Sequence, residues 1–170
     1  DMNRAFKKRT YSRLSDFLRD FWFPVRNRKL LRQMEERKLL SPAFRERLMI
    51  AVTAVNGCRY CSYFHARQAL KTGVSAEEIQ DLMSGVVAGC PEDEIVALAY
   101  AQHWAESDGH PFAEAAERLR DAYGDEKAGA IELVLRLIRF GNLTGNTWDY
   151  MLYRATFGRL PGLVSSGQAT

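Results

Sequence analysis

Residues 41–73 read SPAFRERLMIAVTAVNGCRYCSYFHARQALKTG, the pattern of two helices folded over one turn. Ser41 before Pro42 is a helix start with proline in the first turn, where its missing N–H is no loss. Phe44, Leu48, Met49, Val52 and Val55 then recur at helical spacing as one apolar stripe, and Asn56-Gly57 ends it. The next helix is predicted from Cys58 to Thr72, closed by Gly73, whose missing Cβ suits a left-handed stop.

Working outward, Leu14, Phe17, Leu18, Phe21 and Trp22 predict a helix over 12–23 that stops at Pro24, followed by a second over 27–38. Downstream, Ser75 and Glu78 form a capping box that opens a short helix to about Ser84. Gly85, Gly89 and Pro91 punctuate the chain, and Pro91 opens a helix to near Ser107, with Asp108-Gly109 as its turn. Further helices are expected over 111–123, 125–140 and 147–155, each set off by stop or cap residues, and a frayed tail from about Pro161. No segment alternates with period two, so the fold class expected is all-α, with eight or nine helices.

At 170 residues, 46% hydrophobic and 26% charged, the chain has the make-up of an ordinary folded protein, read as a single domain over 1–170. Within it, 1–40 is a basic, aromatic-rich helical region, 41–84 carries the chemistry, and 85–160 holds the C-terminal helices. Residues 1–40 hold 12 Lys/Arg against 5 Asp/Glu, and the remainder 12 against 16. The basic region is interleaved with Phe17, Leu18, Phe21, Trp22 and Phe23, so it reads as a packing face against a subunit or the core rather than a nucleic-acid arm. No run approaches the roughly 20 apolar residues of a membrane span. No signal peptide is read at the N-terminus, and three cysteines are no secreted disulfide framework, so the address expected is cytoplasmic.

Cys58-Arg59-Tyr60-Cys61-Ser62-Tyr63-Phe64-His65 places Cys, Cys and His at relative positions 0, 3 and 7, within about 60° of one helix face. At a helix start, unpaired backbone N–H groups and the helix dipole favour a thiolate. His65, one turn past Cys61, can take up and return a proton. Glu46 lies on the preceding helix, which folds back through Asn56-Gly57 and so brings its carboxylate toward His65 or a cysteine.

Glu46, eleven intervening residues, Cys58-x-x-Cys61 and three residues to His65 resemble the AhpD-like alkylhydroperoxidase branch of the carboxymuconolactone decarboxylase superfamily. The resemblance is strongest over 42–84, and Gly141-Asn142-Leu143-Thr144-Gly145-Asn146 resembles part of the family's C-terminal half. It implies an AhpD-like all-α fold, homo-oligomers (trimers or hexamers), and a thiol-dependent peroxidase that needs no cofactor or metal. It also implies that Cys61 attacks a hydroperoxide, that Cys58 resolves the sulfenic acid as a disulfide, and that His65 and Glu46 relay protons. The reductant implied is a dithiol, on family precedent a lipoyl carrier protein; no nucleic acid or membrane partner is expected. Active family members place His immediately before the second cysteine, where this chain has Tyr60, a relay or pocket residue. A phenol donates a hydrogen bond but is a poor base, which leaves a disulfide as an alternative substrate.

Other readings compete at the same residues. Cys58, Cys61 and His65 are acceptable zinc ligands, with Glu46, Cys90 or His103 as a fourth, although no second Cys/His pair accompanies them. A decarboxylase-like enzyme with His65 as base is a further reading. Cys90 reads as a buried apolar thiol, and His103 and His110 as packing or capping residues.

Overall fold

A computed structural model describes residues 6–158; the tail expected from Pro161 lies outside them. Among the described residues there are α-helices and one 3-10 turn and no strand. The helices are α1 (Leu14–Arg26), α2 (Arg28–Glu36), α3 (Pro42–Asn56), α4 (Arg59–Lys71), α5 (Ala76–Met83), α6 (Ile95–Glu106) and α7 (Ala113–Ala155), with the 3-10 turn at Glu92–Glu94 before α6.

α3 is the hub, packing against α4, α5, α6 and α7. Leu48, Ile50, Ala51 and Val52 are wholly buried, so α3 is enclosed nearly all round rather than along the single stripe read from its sequence. Each large aliphatic side chain sealed here contributes about 1.5–3 kcal/mol relative to exposure. Its ends follow the residues: the Ser41 hydroxyl accepts the Phe44 N–H at 3.1 Å, and Gly57 closes it at φ 68°, the left-handed region open to glycine. The Ser75 cap of α5 is likewise formed, its hydroxyl accepting from the Glu78 N–H.

Two boundaries differ from expectation. Pro24 lies inside α1 rather than ending it: its fixed φ suits a helix, and the cost is the one intrahelical bond its missing N–H would make to the turn before it. Asn27 then turns the chain, its N–H and side-chain amide both donating to the Phe23 carbonyl. The second difference concerns 141–146, expected to separate two helices. α7 runs straight through it and departs from helical geometry at Gly124, with φ 73° and ψ 161°.

Neither glycine at 141 or 145 breaks the helix, and Gly145 is a site of close approach. A Cβ at Gly145 would lie 2.8 Å from the Cys58 sulfur, and one at Gly141 3.9 Å from that of Cys61. α1 buries no residue. It touches α7 through Phe17 and Phe21 against Phe140, while Leu14, Leu18, Trp22 and Val25 face outward.

Candidate active site

Cys58 is the N-cap of α4, where its sulfur accepts the Cys61 N–H at 3.3 Å. A sulfur thus occupies the position usually held by a Ser or Asp oxygen, at the positive end of the helix dipole. The two sulfurs are 2.7 Å apart, and both cysteines are free thiols. Cys58 is wholly buried and Cys61 is partly exposed.

The pair shares its protons unequally. A hydrogen bond from Cys61 and backbone N–H groups of Cys61 and Tyr60 hold the Cys58 thiol down at about 7, against burial and the Asp149 carboxylate, which raise it. Cys61, the donor in that contact and itself partly buried, is held above its ordinary value, with the Asn142 amide pulling the other way. The first proton therefore leaves the pair with the charge resting on Cys58.

His65 Nδ1 lies 2.8 Å from Glu46 Oε2, with both side chains largely buried. The fold-back at Gly57 thus brings α3 and α4 together as the sequence led one to expect, and of the two partners weighed for Glu46 it is His65 that receives it. No direct hydrogen bond joins this pair to either sulfur among the described residues. The Tyr60 hydroxyl is engaged away from the sulfurs: it donates to Asp149 Oδ1 at 2.8 Å and accepts from Arg59, while its ring and the Cys58 sulfur both border Gly145. Its pKa is raised by partial burial and by that carboxylate.

Several residues around the cysteines escaped the sequence reading. α7 presents Ile131, Leu135, Ile138, Asn142, Asn146, Asp149 and Tyr153 on one buried face. Asn142 accepts from the Asn56 amide at 3.1 Å and donates to the Thr53 hydroxyl at 3.0 Å. Asn146 donates to the carbonyls of Asn56 and Arg9. These bonds pin the turn that precedes Cys58. The signal was present as polar residues continuing an apolar stripe at i, i+4 and i+7, hidden because glycine and asparagine also mark loops.

Cys90 is buried, its thiol raised to about 11 chiefly by that burial. His103 accepts the Phe112 N–H at 3.2 Å, at the start of α7, in the capping role read for it. Among the described residues no group of three or more His, Cys, Asp or Glu is arranged to hold a metal, and no helix is long and apolar enough to cross a membrane.

Residues 24–103 match the family model described as Carboxymuconolactone decarboxylase family. Through this segment, somewhat under half of its length, the chain is similar to that family. No curated protein and no solved structure gives a significant match. The family segment carries Glu46, Cys58, Cys61 and His65, whereas Asn142, Gly145 and Asp149 come from α7, beyond the match. The all-helical architecture agrees with the AhpD-like fold of this superfamily.

Proposed function

We propose that the protein is a thiol-dependent peroxidase in which Cys61 and Cys58 reduce a hydroperoxide. The observation that carries this reading is the pair of free sulfurs 2.7 Å apart at a helix start, one of them ionising near neutral pH.

Cys61 is the attacking residue because it is the accessible one. With the resting charge on Cys58, the Cys61 proton crosses to Cys58 or leaves toward His65 before attack. The Cys61 thiolate displaces alkoxide from the peroxide oxygen, giving a sulfenic acid, and the alkoxide leaves as the alcohol with a proton supplied through His65 and Glu46. Cys58 then attacks the sulfenic sulfur and water departs, leaving a Cys58–Cys61 disulfide. One hydroperoxide and two thiols become alcohol, water and one disulfide. An external dithiol, of the lipoyl kind, returns the pair by exchange. The exposed apolar residues of α1 support a homo-oligomer as part of the same proposal.

A second reading, a thiol–disulfide oxidoreductase, is favoured by one observation: the Tyr60 hydroxyl is bonded to Asp149 rather than to a sulfur. Mass spectrometry after one equivalent of an organic hydroperoxide separates the two. The peroxidase loses two hydrogens as a mapped Cys58–Cys61 disulfide, and Cys61→Ser does not. Thiols that stay reduced with peroxide but oxidise with a small disulfide would replace the first reading with the second.

A further inference from the structure

Both residues between the two cysteines are tied to one carboxylate. Arg59 donates to Asp149 Oδ1 at 2.9 Å and Tyr60 donates to the same atom at 2.8 Å. Asp149 is wholly buried on α7. Its other oxygen, Oδ2, lies 3.6 Å from Lys8 Nζ, with the Lys8 side chain 7% exposed. Neither of those two atoms, nor Oδ1 of Asn146 one turn earlier, has a hydrogen-bond partner.

Lys8 belongs to an extended segment laid over α7. Phe6 packs on Tyr150 and Tyr153, the Arg9 carbonyl accepts from Asn146, and the Tyr11 N–H donates to the Thr147 hydroxyl. A charge pair buried without full hydrogen bonding is costly, and an apolar pair of like volume would hold the same helices as well or better. A purely structural tie is therefore a poor explanation for a carboxylate that opposes ionisation of Cys58.

We propose that Asp149 is a positioning residue for the Cys58–Cys61 pair, clamping the two residues between the cysteines and, balanced by Lys8, setting how readily the pair passes between dithiol and disulfide. This rests on the redox reading of the pair but not on its substrate. The charged and titratable groups around Cys58 are Asp149 of α7, Lys8 of the N-terminal segment, Arg59, Tyr60, Cys61 and His65 of α4, and Glu46 of α3. Removing the carboxylate charge favours the thiolate and frees the turn, and both effects favour the reduced pair. Removing Lys8 takes away the cation facing Oδ2, leaves Arg59 alone to balance the carboxylate, and does the reverse.

The test equilibrates the full chain with reduced and oxidised glutathione, so that the dithiol and one glutathione disulfide exchange to the protein disulfide and two glutathione thiols. It is paired with a spectroscopic thiolate titration. Asp149→Asn is expected to lower the titration midpoint by about one pH unit and to move the equilibrium toward dithiol by about threefold or more. Lys8→Met moves both quantities in the opposite direction. Should Asp149→Asn fail to fold, Lys8→Met decides alone. An unmoved titration in Lys8→Met, or shifts of the same sign in both variants, would overturn the proposal. No peroxide enters the measurement, so a negative peroxidase result leaves this one independent.

Discussion

Two buried charge clusters among the described residues are built to opposite standards. Arg47 of α3 reaches Glu78 of α5 and Glu94 of the 3-10 turn, taking both Glu94 oxygens at 3.1–3.3 Å. None of its fully buried side-chain nitrogen or oxygen atoms lacks a hydrogen-bond partner. At the other cluster Asp149 meets Arg59 and Tyr60 on one oxygen only, and the facing Lys8 nitrogen has no hydrogen bond. The first cluster ties three elements together with its fully buried polar atoms paired. The second adjoins the sulfurs and is left incomplete where its charge is felt. Full satisfaction marks the structural cluster, and the unsatisfied one marks where charge is used to tune chemistry.

The contrast is broken most sharply at Arg47. Arg47→Met strands two buried carboxylates and is expected to cost about 3–5 kcal/mol in denaturant unfolding. In the fraction that folds, the Cys58–Cys61 titration stays in place; a moved titration would make the clusters one network. Gly145→Ala sets a methyl against the Cys58 sulfur and is expected to cost about 1–3 kcal/mol by overpacking. Unlike Arg47→Met it also slows disulfide formation, which thiol trapping over time reads directly.

A smaller effect follows from the thiols themselves. Cys58 ionises in the fold at about 7 against an ordinary 9.0. Between those values the unfolded chain binds more protons, so stability rises with pH there and is lost as pH falls through about 7. Above 9 the sign reverses, because Cys61 is held protonated in the fold while its unfolded counterpart ionises. Melting curves of the wild type against Cys58→Ser should therefore differ most near pH 9. A difference that is flat from 6 to 9 would contradict the charge assignment within the pair. The smallest effect is a control on the same helix: Gly129 has nothing within 4 Å of its Cβ position, so Gly129→Ala should gain up to about 1 kcal/mol and leave the thiols unchanged.

What the sequence made legible follows the same division. Local signals carried the first half of the site: the Ser41 cap, the Gly57 stop and the spacing from Glu46 to His65 all lie within two adjacent helices, where short-range rules decide geometry. The α7 half was not legible. Gly141 and Gly145 carry a loop signature, and only the Cys58 sulfur and Tyr60 ring packed against Gly145 explain why glycine is needed there inside a helix. The pairing of Asp149 with Arg59 spans 90 residues, beyond any local pattern. Pro24 misled for the opposite reason: a local stop signal is a preference, and the helix runs on to Arg26 at the cost of one backbone bond.

The most direct test of the central claim is to trap the sulfenic acid. Cys58→Ser treated with an organic hydroperoxide and a sulfenic-acid-selective dicarbonyl should carry a single adduct on Cys61, and Cys61→Ser should carry none on Cys58. An adduct on Cys58 in Cys61→Ser, or no adduct on Cys61 in Cys58→Ser, would contradict the assignment of Cys61 as the attacking thiol.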